Sequence, residues 1–322
     1  MLKDKYFIGS HPPFLHNGSS VAARNYHIII AALPAVLMGI YLYGTPALGV
    51  MALSISSAML WELAVNRVRG LPATIADGNA ALIGLLLAML LPASAPWWLV
   101  VVGTFVAVVL GKEIYGGIGC NPFNPVLVAA AVLILSWKGA MNFDEALVDY
   151  DMEFTMLSPL AAMKYFGAQS AEAYKMADML MGRYAGGIGS TFGLGLAAGG
   201  VYLMVRGFIR WEISISFLAS VFLTALVFRL AAPELYGPPP LHLFTGYTLI
   251  GAFFLATEDS SSPVNFVPMI IFGAGAGFLL VLIRNIGGFV DGTVFAILMM
   301  NVANPLLDKL RPRALGKVVE HA

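Results

Sequence analysis

The stretch Tyr115–Pro125 (Tyr-Gly-Gly-Ile-Gly-Cys-Asn-Pro-Phe-Asn-Pro) concentrates groups that could act on a ligand. It holds two side-chain amides, Asn121 and Asn124, and the chain's only thiol, Cys120. The amides alternate with helix breakers inside an apolar region, and backbone groups freed there must be met by neighbours or by a ligand. An Asn at a helix start caps it, so one reading is a self-capped turn at the membrane surface. The other is a half-helix N-terminus aimed at a polar or anionic ligand. Spacing alone leaves both open. His242, at the start of a later apolar stretch, is expected to be a hydrogen-bonded packing residue. Glu258 and Asp259 adjoin Ser260-Ser261-Ser262 and could attract a cation, although a solvated loop explains them as well. Asp77 and Asp291 lie near the starts of apolar stretches, and acids within a membrane are candidates for function by default. Each is followed by Gly, which fits a turn or a cap equally. Cys120 is expected to be a small packing residue. One cysteine forms no intrachain disulfide and cannot alone hold a structural zinc or an iron–sulfur cluster, so no metal site is expected.

The elements that must position these residues are membrane helices. Of 322 residues, 59% are hydrophobic and 11% charged, and mean hydropathy is +0.82. A soluble domain carries about 25% charged residues. The formal net charge of zero gives no sign of nucleic-acid binding. The composition implies an all-α integral membrane protein with ten spans, roughly 27–43, 47–65, 80–92, 97–114, 124–137, 188–206, 213–231, 243–257, 266–284 and 289–307. Ala81-Leu-Ile-Gly84 is echoed by Thr248-Leu-Ile-Gly251, and Gly116-Gly117 by Gly287-Gly288. These echoes divide the chain into two five-helix repeats, 27–137 and 188–307. An odd number of spans inverts the second relative to the first. The third span of each half is short, which points to a binding site between repeats. Gly273, Gly275 and Gly277, with Gly193, Gly195, Gly199 and Gly200, are expected to let helices pack closely. No βαβ context makes the Gly-x-Gly-x-Gly run a dinucleotide site.

Segments 1–26 and 308–322 flank the repeats, and an acidic loop, 138–187, joins them. If the N-terminus is inside, twelve Lys and Arg lie on that side against six outside. The positive-inside rule then places both termini in the cytoplasm and the long loop outside. A loop of that length in a compact protein is usually functional.

Three motifs in order resemble the NqrB/RnfD family. Tyr115–Pro125 is similar to its YGGLGxNPFNP signature. His242-Leu-Phe-Thr-Gly-Tyr-Thr-Leu-Ile-Gly-Ala-Phe-Phe-Leu-Ala-Thr257 is similar to HLLxGxxMLGAFFIATDP. Leu282-Ile-Arg-Asn-Ile-Gly-Gly-Phe-Val-Asp-Gly292 is similar to LIRxxGGYPDG. The resemblance implies a flavin-carrying membrane subunit of an Rnf-type complex in a bacterial inner membrane. Such a complex moves electrons between ferredoxin and NAD, coupled to Na⁺ or H⁺ translocation. Its other subunits and a flavin transferase would be partners, and the chain would have no independent activity. The family carries FMN on a Thr hydroxyl in an S-x-A-T-P-L type motif. The matching string here is Thr155-Met-Leu-Ser158-Pro-Leu160, so the resemblance implies a phosphoester at Ser158, with Thr155 as the alternative acceptor. Leu157 stands where the family has a small residue, and Thr257-Glu258-Asp259 where it has Thr-Asp-Pro. The resemblance leaves room for a second, noncovalent flavin. A competing function is a channel or transporter for a small solute through the repeat interface, since Asn121-Pro-Phe-Asn-Pro125 is also similar to the Asn-Pro turns of channel half-helices.

Overall fold

The computed structural model describes residues 20–146 and 158–310. Thr155 lies outside them. Among the described residues every regular element is helical.

The first half comprises α1 (Val21–Tyr43), α2 (Thr45–Val68), α3 (Asn79–Leu90), α4 (Trp97–Phe105) and α5 (Pro125–Ser136). A π-helical turn over Val106–Leu110 and a 3₁₀ turn over Glu113–Tyr115 carry α4 onward to the Gly116-Gly117 pair. The connecting loop holds α6 (Phe143–Ala146), α7 (Pro159–Phe166) and α8 (Met176–Met181). The second half comprises α9 (Gly193–Val205), α10 (Trp211–Ala231), the broken span α11 (Pro239–Phe244) and α12 (Thr248–Ile250), then α13 (Phe266–Asn285) and α14 (Thr293–Leu307). A π-helical turn over Gly251–Leu255 extends α12.

Helices occupy all ten expected stretches in order; five are long and apolar enough to cross a membrane, and α3, α5, α9 and α14 are shorter apolar helices. At a rise of about 1.5 Å per residue α3 is too short to cross a hydrocarbon core of about 30 Å. Its carbonyls end inside protein and find donors there. Tyr247 Oη donates to the Leu90 carbonyl at 2.7 Å, the Ile188 amide to Leu91 at 3.0 Å, and the Gly189 amide to Met89 at 3.1 Å. The span expected from residue 188 consequently begins later, at Gly193. Residues 185–191 are a buried, glycine-rich, non-helical segment whose amides end α3 instead of continuing α9.

The halves pack through α1 against α9 and α5 against α14, within one continuous apolar core. The expected close helix packing is seen. A side chain at Gly199 would strike the Ala31 carbonyl of α1, and one at Gly277 the Phe217 carbonyl of α10.

Candidate functional site

Two cavities open at opposite ends of α5. One lies at the face where α1 begins, the other at the face carrying the long loop. The start of α5, at Pro125 and Val126, lines the first; Ile134 and Lys138, at and past its end, line the second. The broken span runs the other way, with Tyr247 at the loop face and Thr257 at the N-terminal face.

The N-terminal-face cavity encloses about 310 Å³. Its floor is apolar, with Leu86, Phe253 and Phe254, and its walls carry Asn79, Lys112, Asn121, Asn124 and Glu258. Asn124 caps α5: its Oδ1 accepts from the amides of Val126 (2.9 Å) and Leu127 (3.2 Å). Its Nδ2 donates to the Leu255 carbonyl at 2.9 Å, meeting a group at the end of the π-helical turn. Asn121 Nδ2 donates to Glu258 Oε1 at 3.2 Å and to the Phe123 carbonyl at 3.0 Å. The self-capped turn is thus what Asn124 forms, and the same loop clasps the second half of the chain. Glu258 is not a solvated loop residue: besides Asn121 it accepts Ser260 Oγ and both the amide and hydroxyl of Ser261. Asp259 is exposed and forms an ion pair with Arg24 of α1. Cys120 is exposed, so the expectation of a packing residue fails. The three positive-φ glycines around it, Gly116, Gly117 and Gly119, hold its loop out from the helices.

The loop-face cavity encloses about 130 Å³ and brings together Ser158, Lys138, Asp144, Tyr165, Tyr247 and Asp291. Ser158 is the N-cap residue of α7. Its amide donates to Asp144 Oδ1 at 2.7 Å, and its hydroxyl does not cap the helix. The hydroxyl therefore stands at a helix N-terminus beside a cavity with a cation, Lys138, in its wall. A phosphoester is stabilised in such a place by the helix dipole and the first-turn amides. Asp144 opposes that charge. A phosphate on Ser158 would meet the α7 N-terminus and share the cavity with Lys138, Asp144 and Asp291.

Sequence reasoning missed two charged side chains buried at matching places in the repeat. Lys112 is 2% exposed. Its Nζ lies 3.0 Å from Asn79 Oδ1, 3.1 Å from Glu62 Oε1 and 3.3 Å from Glu113 Oε1. Arg284 is 1% exposed. It donates to the His242 carbonyl (2.8 Å), the Thr245 carbonyl (3.3 Å) and Thr248 Oγ1 (2.9 Å), and pairs with Asp291 at 3.0 Å. Each cation thus reaches the first residue of a helix, Asn79 of α3 or Thr248 of α12. Arg284 also satisfies carbonyls freed where that span breaks, as a polar group at membrane depth requires. The available signal was the position of both cations a few residues before the paired glycines. Asp291 also accepts from the Thr293 amide and hydroxyl and the Tyr247 amide. Asp77 accepts from the Asn79 amide at 2.8 Å, just before α3. Its pKa is raised, chiefly by burial. His242 is fully buried, and among the described residues neither ring nitrogen has a hydrogen-bond partner, contrary to expectation.

Five helices long and apolar enough to cross a membrane, with four shorter apolar helices among them, define an all-helical, multi-pass membrane protein. A family model described as the NQR2, RnfD, RnfE family matches residues 8–316, and the chain belongs to that family. It is 36% identical to the D subunit of the proton-translocating ferredoxin:NAD(+) oxidoreductase complex of Clostridium ljungdahlii, over 96% of this chain and 95% of that one. It is 35% identical to the D subunit of the Na(+)-translocating ferredoxin:NAD(+) oxidoreductase complex of Acetobacterium woodii, over 93% and 92%. It is 34% identical to the D subunit of the ion-translocating oxidoreductase complex of Pectobacterium carotovorum, over 94% and 97%.

Proposed function

We propose that this chain is the D subunit of a bacterial ion-translocating ferredoxin:NAD oxidoreductase complex, and that it carries FMN esterified to Ser158. The observation that carries the flavin reading is the position of the Ser158 hydroxyl, uncapped, at the N-terminus of α7 and at the lip of the loop-face cavity. Ser158 Oγ would supply the ester oxygen. The α7 dipole and Lys138 would hold the phosphate, and Asp144 fixes the Ser158 backbone through its amide. When bound, FMN supplies the redox chemistry, while the protein supplies position and electrostatics. Small-molecule pockets enclose roughly 300–1,000 Å³. The loop-face cavity is smaller than that, so the described residues cover only part of an FMN. The N-terminal-face cavity reaches that range and has an apolar floor and polar walls, which suits a second, noncovalent flavin.

The relatives are subunits of oxidoreductase complexes, which favours the redox reading over a solute channel. Purification of the tagged chain from its own cells is expected to bring down a multi-subunit assembly with ferredoxin:NAD oxidoreductase activity. A chain that purifies alone and passes small solutes across liposomes would overturn the assignment.

The N-terminal face is assigned to the cytoplasm and the loop face to the outside. Cys120 tests this without any mutation, because it is the sole cysteine and is exposed. An impermeant maleimide is expected to label the chain in inside-out vesicles and not in spheroplasts. The reverse pattern would invert the topology.

A further inference from the structure

We propose that Lys164 is a positioning residue that pins the Ser158-bearing helix to the wall of the cavity Ser158 faces; this rests on the flavin reading above. Lys164 lies on the last turn of α7, four residues after Leu160, so the two side chains share a face. Leu160 packs with Leu241, Met163 and Met179, and Val290 lies against that cluster. The Lys164 ammonium donates to the carbonyls of Gly287 and Phe289, each at 2.6 Å, and approaches that of Arg284 at 3.4 Å. Its three donors thus meet three carbonyls at the end of α13 and in the loop that follows. The same loop supplies Gly288, Phe289, Val290 and Asp291 to the cavity wall opposite Ser158. Acceptor helix and cavity wall are therefore fastened by one side chain at the far end of α7, while Asp144 holds the near end through the Ser158 amide. A cation at a helix C-terminus also suits the α13 dipole. Burial lowers the Lys164 pKa.

The test compares wild type with Lys164→Met, Lys164→Gln and Lys164→Arg, each expressed with the partner subunits and flavin transferase. Two readouts are taken: hydrogen exchange across 158–166, and iodide quenching of the linked flavin on the flavin-bearing fraction only. Loss of hydrogen bonds made by a charged group should raise exchange about tenfold in Lys164→Met, confined to α7. Iodide quenching should rise with it. Lys164→Arg should restore both, and Lys164→Gln, which keeps two donors without the charge, should fall between. Unchanged exchange and quenching in Lys164→Met would overturn the proposal, as would a rise spread evenly over the protein. If Lys164→Met does not accumulate, Lys164→Gln is read by the same criteria. If wild type bears no flavin, the flavin reading fails, and the exchange arm still decides whether Lys164 holds the helix.

Discussion

Replacing Arg284 with Met is expected to destabilise the protein by about 3–5 kcal/mol, the cost of removing one partner from a buried ion pair. Three consequences add in the same direction. Asp291 keeps its charge without its countercharge. The carbonyls of His242 and Thr245 lose their donor at the break between α11 and α12. Thr248 Oγ1 loses a partner at the first residue of α12. A Met of similar length fills the volume, so the loss isolates the polar contacts from packing. Arg284→Lys keeps the charge but not the planar fork that reaches four partners, and should fall between wild type and Met. Thermal unfolding in detergent measures the series. A midpoint unchanged in Arg284→Met would show that the break in the eighth span is held by something else.

Ser158→Ala is expected to abolish covalent flavin altogether while leaving the fold within about 0.5 kcal/mol of wild type. The separation follows from geometry. The Ser158 amide, not its hydroxyl, is what Asp144 holds, and the hydroxyl makes no helix cap whose loss would cost stability. Ultraviolet fluorescence of the gel band reads the flavin, and the thermal midpoint reads the fold. Thr155→Ala should keep the fluorescence. Fluorescence that survives in Ser158→Ala would place the ester elsewhere.

Most of the span order was legible because bilayer thickness forces long apolar runs, and ten such runs in two echoed sets admit few arrangements. The shortness of α3 and the break between α11 and α12 also showed in the length of their apolar runs. What stayed hidden is what depends on contacts between distant segments. Lys112 and Arg284 read as surface cations useful only for orientation, because a charge beside an apolar run is normally solvated. Their burial depends on distant partners, Glu62 and Asn79 for Lys112 and His242, Thr245 and Thr248 for Arg284, beside the nearby acids Glu113 and Asp291. The 188–191 part of the glycine-rich stretch read as helix because the residues that follow it are apolar. The carbonyls of Met89 and Leu91, some hundred residues earlier, take its amides instead. Cys120 read as a small packing residue, whereas it is exposed in a loop with positive-φ glycines at 116, 117 and 119. Ser158 was legible only through a motif, and the structure adds what the motif lacks: a cavity, a helix N-terminus and a fastened helix.

Whether this chain bears FMN on Ser158 is decided by the intact mass of the denatured protein expressed with its own flavin transferase. The expected result is a gain of one FMN less one water, and a modified fragment that contains Ser158. An unmodified mass would refute the covalent flavin.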